Sequence, residues 1–145
     1  MQLTVVMYHF VRELSKTRFP DIKGLTINEF KAQISYFKKN YMFVTMEDCI
    51  DAINNDSTKD LPVNSILLTF DDGFADHYEN VFPILNDNSI QGVFFPPARP
   101  IVENHVLDIN KIHFLLAAIK DINHVITDIY MLLDEYRSKY DLKNN

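Results

Sequence analysis

The chain has 145 residues, 47% of them apolar, and a formal charge of −6, which suits one compact domain or a large piece of one and excludes wholesale disorder. The acidic balance, with no long basic run, disfavours binding to nucleic acid or to an anionic membrane surface. The single cysteine, Cys49, excludes an internal disulfide and a cysteine-only zinc site, and no stretch approaches the roughly 20 apolar residues of a membrane-spanning helix. The N-terminal MQLTVVMYHF shows neither a basic leader nor a long apolar run, so a cytoplasmic location is expected.

Residues 3–9 (LTVVMYH) are apolar at both parities, which predicts a strand buried on both faces, as in a parallel sheet. Residues 10–25 carry Pro20, Gly24 and scattered charges and read as a loop. Thr26 stands three residues before Glu29, the capping-box spacing, and Ile27, Phe30, Ile34 and Phe37 follow at helical intervals. Lys38 and Lys39 complement the negative end of that helix.

Residues 41–45 (YMFVT) predict a second strand. Thr45 then caps a helix with Met46, Cys49, Ile50 and Ile53 inward, where the thiol reads as buried and inert. NNDSTKDLP is a loop by composition. Residues 65–70 (SILLTF) form the clearest strand, 77–88 are weakly helical and interrupted by Pro83, and 90–95 (IQGVFF) form a fourth strand ended by Pro96-Pro97.

Strand and helix thus alternate, which argues for an α/β fold with a parallel sheet. Beyond residue 108 the alternation stops. Asp108 would cap one helix with Ile109, Ile112, Leu116 and Ile119 inward. Asn123 would cap another with Ile126, Ile129, Leu133 and Tyr136 inward. Residues 1–96 therefore read as one unit and 97–145 as a helical insertion or appendage. Four parallel strands alone would leave an unpaired sheet edge.

TFDDG, residues 69–73, ends the third strand, at the sheet edge where α/β active sites gather. Two adjacent carboxylates repel each other. A divalent cation relieves the conflict by binding one and leaving the other as a base. Gly73 lets the chain turn sharply beyond the pair. For DDG taken alone, turn-forming or helix-capping aspartates are the competing explanation.

The wider context resembles the polysaccharide deacetylases of carbohydrate esterase family 4. The resemblance runs through VVMYHFV at 5–11, INEFKAQISYFKKNY at 27–41, LPVNSILLTFDDGFADHYENVFPIL at 61–85 and IQGVFF at 90–95. It implies the first part of an irregular β/α barrel, here followed by a C-terminal pair of helices. It also implies removal of acetyl groups from N-acetylated sugars with a divalent metal, zinc as a rule. Asp71 takes the place of the general base and Asp72 that of a metal ligand. The metal would polarise the amide carbonyl and acidify a bound water, whose proton Asp71 would take.

The chain departs from the family in lacking its later His-Ser/Thr-x-x-His motif, which supplies two metal ligands, and the family's later catalytic histidine and arginine–aspartate partners. His105 and His113 are eight residues apart. They and His124 read as structural or solvent-facing. His9 ends the first strand and should emerge beside Asp71 and Asp72. It and Gly73 are candidate site-lining residues, with a satisfied strand-end histidine as the alternative for His9. His77, at a helix start, fits the surface equally well.

The economical expectation is a segment of a longer deacetylase whose remaining ligands lie elsewhere. The second reading is an inactive deacetylase-fold domain that binds carbohydrate or a partner. A magnesium-dependent phosphoryl-transfer enzyme ranks last, because the aspartates are adjacent rather than Asp-x-Asp and no glycine-rich phosphate loop occurs. The sugar, the metal and the oligomeric state are not legible in the sequence.

Overall fold

The computed structural model describes residues 3–54 and 61–143. Its elements are β1 (Leu3–Tyr8), α1 (Ile27–Asn40), β2 (Met42–Phe43), α2 (Met46–Asn54), β3 (Ser65–Asp71), α3 (Phe82–Asp87), β4 (Gly92–Phe95), α4 (Ala98–Glu103), α5 (Asp108–Ala118) and α6 (Ile122–Tyr140). The loop expected at NNDSTKDLP falls largely on residues 55–60, outside the described residues.

All strand pairing is parallel and runs through β3. β1 pairs along one edge, from Leu3 opposite Ser65 to Tyr8 opposite Phe70. The other edge is shared in tandem: β2 occupies Ser65 and Ile66, and β4 occupies Leu68 to Asp71. This central place explains why Ser65–Phe70 is buried without interruption.

The two faces of the sheet are covered unequally. Ile66, Leu68 and Phe70 join Tyr8 and, from α1, Phe30 and Ile34 in the main core. Full burial of each such side chain contributes about 1.5–3 kcal/mol. On the opposite face, Leu67 packs with Val44, Cys49 and Leu61, and Leu3, Met46 and Val93 lean on them. That cover stops short of Val5 and Met7, which are 53% and 57% exposed.

The Thr26–Glu29 capping box forms as the spacing predicts: Thr26 Oγ1 accepts from the Glu29 N–H, and the Glu29 carboxylate accepts from the Thr26 N–H. Thr45 and Asp48 repeat the device at α2.

Several expectations are corrected. In α2, Cys49 is buried, but Ile50 and Ile53 are 48% and 75% exposed and Ala52 packs inward instead. Pro83 does not interrupt a helix. It sits in the first turn of α3, where its missing N–H costs nothing, behind a wide π-helical turn (His77–Val81) closed by the Phe82 N–H on the His77 carbonyl.

The Pro-rich stretch after β4 contains α4, an unexpected third helix beyond the sheet. Asp108 lies inside the first turn of α5, paired with Lys111, rather than at its cap. α6 is capped by Asp121, which accepts from the Asn123 N–H, not by Asn123.

The inward stripe of α5 is Asn110, His113, Phe114 and Ala117. The expected inward residues Ile109, Ile112 and Leu116 are about half exposed (51%, 49% and 48%), as are Ile126 and Ile129 of α6 (45% and 50%). α5 is tied to the rest by Phe114, whose ring meets those of Phe10 and Phe19.

Candidate active site

The site is built where β1, β3 and β4 end together. Tyr8, Phe70 and Phe94 stand in register on the three strands, with ring centroids 5.2 and 4.9 Å apart in stacked pairs. This aromatic row fixes the strand ends laterally. Asp71 comes one residue above it, still paired with Phe95. Asp72 follows at φ 73° and Gly73 at φ 61°.

Two consecutive left-handed residues turn the chain off the sheet. A non-glycine residue in that region is uncommon, and aspartate tolerates it better than most. Gly73 is also obligatory on space, since a Cβ there would lie 2.8 Å from Pro96 Cβ and 3.1 Å from Pro96 Cα. The Pro96-Pro97 pair that ends β4 therefore presses on the turn that presents the aspartates.

Asp71 and Asp72 are half-buried, and among the described residues neither carboxylate has a hydrogen bond or an ion pair. An aspartate retained only for capping or turn formation spends its oxygens on nearby N–H groups, as Asp48 and Asp121 do. These two leave theirs open.

The segment after the turn is stitched back to the end of β1. The Asp76 carboxylate, 8% exposed, accepts from Arg12 Nε at 2.6 Å and from the Val11 N–H at 3.3 Å. His77 Nε2 donates to the His9 carbonyl at 2.8 Å, and Asn80 Nδ2 to the Val11 carbonyl at 2.8 Å. The Arg12 guanidinium also lies 4.5 Å over the Phe10 ring, which stacks on Phe74 at 4.1 Å.

His77 is accordingly buried, at 5% exposure, among Phe70, Phe74 and Phe94, rather than on the surface. The sequence reading missed Arg12 and Asp76. The available signal was positional: they follow the ends of two strands predicted to be parallel.

His9 and Gly73 line different cavities. Gly73 borders one of about 290 Å³ with Phe74, His77, Phe94 and Pro96. His9 borders one of about 420 Å³ between the end of β1, the loop at 21–23 and α5. His113 lines the latter cavity, His105 pairs with Glu103 at 3.2 Å, and His124 is a surface side chain 3.9 Å from Asp121.

None of these histidines reaches Asp72. Among the described residues no three His, Cys, Asp or Glu side chains stand close enough to hold a metal ion. One aspartate does not meet the three or four protein ligands of a zinc site, so the described residues do not by themselves fit the metal that the resemblance implies. Among them, too, no helix is long and apolar enough to cross a membrane.

Comparison with known proteins adds sequence and fold to this geometry. The family described as polysaccharide deacetylase matches residues 58–126, the stretch that carries β3 and the DDG turn. YxkH of Bacillus subtilis (strain 168), named after the same family, is 26% identical over 107 residues, covering 73% of this chain and 36% of YxkH.

Among solved structures, a de-N-acetylase from Aggregatibacter actinomycetemcomitans shares 32% identity and a TM-score of 0.54 over 65% of this chain and 37% of its own. IcaB from Ammonifex degensii shares 28% and 0.50 over 66% and 40%. The chain thus spans little more than a third of the length of the relatives it matches. Its parallel strands and helices are the corresponding part of a deacetylase-type β/α barrel. Over that part of its length the chain is similar in sequence and in fold to polysaccharide deacetylases.

Proposed function

We propose that the chain carries the base-bearing part of a hydrolase that removes acetyl groups from N-acetylated sugars. The observation that carries the reading is the pair of uncommitted carboxylates at the end of β3, raised by a left-handed turn. The family match over 58–126 and the similarity to a de-N-acetylase support it.

Asp71 is assigned as the general base that accepts the proton of the attacking water, a role worth about 10²–10⁴-fold in rate. Asp72 is assigned as a ligand of a divalent metal, zinc by the family resemblance. The further ligands are to be supplied by polypeptide other than the described residues, so the chain acts as a segment of a larger site. The lone buried thiol of Cys49, its pKa pushed up chiefly by burial, suits the cytoplasmic setting included in the proposal.

The test is acetate release from N-acetylglucosamine oligomers by the natural full-length protein and its Asp71→Asn variant. Activity should fall at least 100-fold while metal content stays unchanged. Undiminished deacetylation by the variant would remove Asp71 from the role.

A second reading, a non-catalytic deacetylase-fold domain that binds saccharide, is favoured by the missing three-ligand group among the described residues. It predicts saccharide binding that a chelator does not alter, with no acetate released.

A further inference from the structure

α6 spans 19 residues and is about 28 Å long. Among the described residues it buries no side chain and joins neither core cluster. Its hydrogen bonds, ion pairs and ring contacts all stay within residues 121–143. A helix in water gains most of its stability by packing an apolar face, and the apolar face of α6 is open.

That face has a specific form. Ile122, Ile126, Ile129, Leu133, Tyr136 and Tyr140 follow one another at intervals of four, three, four, three and four. This is the heptad spacing of a coiled-coil seam, which is narrower than the stripe of a helix lying on a globular core and fits one further helix. Leu133 is half-buried, and the other five range from 38% (Tyr136) to 60% (Tyr140) exposed. Tyr130 and Leu132, 52% and 51% exposed, widen the seam at its middle.

The seam reads the same from both ends, about Met131. A second copy running antiparallel therefore sets Ile122 opposite Tyr140, Ile126 opposite Tyr136 and Ile129 opposite Leu133. The first two pairings match an isoleucine with a tyrosine, the alternation of smaller and larger side chains that fills a core without crowding. Tyr130 and Leu132 each meet their own counterparts at the two-fold axis, as a closed dimer requires.

A parallel copy would crowd tyrosine on tyrosine at one end and gather Arg137 and Lys139 of both copies there. Antiparallel pairing holds the two Arg137 residues about 18 Å apart along the axis and opposes the helix dipoles. The seven exposed side chains of the seam and its flanks are each about half accessible. They offer on the order of 700 Å² per copy, close to the roughly 800 Å² per partner of a stable interface.

We propose that α6 is a dimerisation helix, through which two copies of this chain pair as an antiparallel two-stranded coiled coil centred on Met131. The assignment is independent of the deacetylase reading.

The test is sedimentation equilibrium of the 145-residue chain, unsubstituted and as Ile126→Glu and Thr127→Glu. The unsubstituted chain should be a reversible dimer. Ile126→Glu should raise its dissociation constant at least tenfold, whereas Thr127→Glu, the same charge change one residue off the seam, should raise it less than about threefold.

Orientation is read by disulfide cross-linking, since the native thiol, Cys49, is buried. Oxidation of an equimolar mixture of Ile126→Cys and Tyr136→Cys chains should give cross-linked dimers. Either variant alone should give none, because antiparallel pairing leaves like positions about 15 Å apart along the axis.

A chain that is monomeric at every concentration overturns the dimer and leaves the seam to a helix elsewhere in the natural full-length protein. A dimer that both glutamate variants leave intact overturns the role of α6. Cross-linking of either cysteine variant with itself, and not in the mixture, overturns the antiparallel pairing. If Ile126→Glu also loses helix content by circular dichroism, the cysteine pairs decide.

Discussion

Asp76→Ala should be among the most damaging substitutions outside the main core. Its carboxylate is 11% exposed and faces an Arg12 side chain that is 20% exposed, at 2.6 Å. Truncation strands the guanidinium, and breaking a well-buried pair in this way costs about 3–5 kcal/mol. The partial exposure of both groups moves the expectation to the lower end.

The Val11 N–H, on a fully buried residue, also loses its acceptor, which adds about 1 kcal/mol or more. The total is about 3–4 kcal/mol, or a fall in melting temperature of about 6–16 °C for a chain of this size. Asp76→Asn keeps an acceptor for Val11 but removes the charge, and should fall between the two. Arg12→Met leaves Asp76 with its Val11 bond alone and should cost less than Asp76→Ala.

Urea unfolding of the two single variants and the double variant closes a cycle. The coupling should reach about 1–2 kcal/mol, as for contacting residues in one network. Additive losses, with coupling below about 0.5 kcal/mol, would show that the ion pair does not hold the segment behind the DDG turn.

Other consequences are equally direct. Gly73→Ala should cost about 2–3 kcal/mol through its positive φ and the Pro96 contact, read by denaturant midpoint; an unchanged midpoint would rule out that backbone strain. Asp72→Gly should do the reverse and raise stability by up to about 1 kcal/mol, while abolishing acetate release by the natural full-length protein. A drop in melting temperature would contradict the first half of that statement.

Tyr8 is 5% exposed and donates to Gln33 at 2.7 Å, and burial pushes its phenol from 10.0 to about 12. Because the folded value is the higher one, its contribution is complete below about pH 10 and is lost as the pH rises through about 12. The difference in tyrosinate absorbance between the unsubstituted protein and Tyr8→Phe should therefore appear only near pH 12; a difference complete near pH 10 would refute the assignment.

Much of this architecture is legible in local pattern. SILLTF is apolar at both parities because β3 is covered on both faces, and Thr26 with Glu29 marks a helix start by spacing alone; LTVVMYH shows the same pattern, but its expected burial on both faces fails, since Val5 and Met7 lie where the cover of the second face stops. The failures have physical causes. α5 is apolar around most of its circumference, with Ile109, Ile112, Phe114, Leu115 and Leu116 at dispersed angles, so periodicity does not choose a face.

Ile50 and Ile53 repeat at helical intervals, yet α2 covers only one end of its sheet face and leaves them out. Arg12 and Asp76 are 64 positions apart, and only the parallel pairing of β1 with β3 brings their loops together. TFDDG was visible as a motif, whereas the strain on Asp72 was not, because a letter string carries no φ.

That strain gives the DDG turn an evolutionary direction. Asparagine and glycine each lie a single nucleotide from an aspartate codon, and both sit more comfortably than aspartate at φ 73°. Selection for folding alone would let position 72 slide toward them, since every such step relaxes the backbone and discards only the negative charge. A lineage that stopped using the site would shed this carboxylate before it shed Phe70 or Leu68, whose loss unravels the sheet. Position 72 is therefore the place in the chain where disuse would first be written.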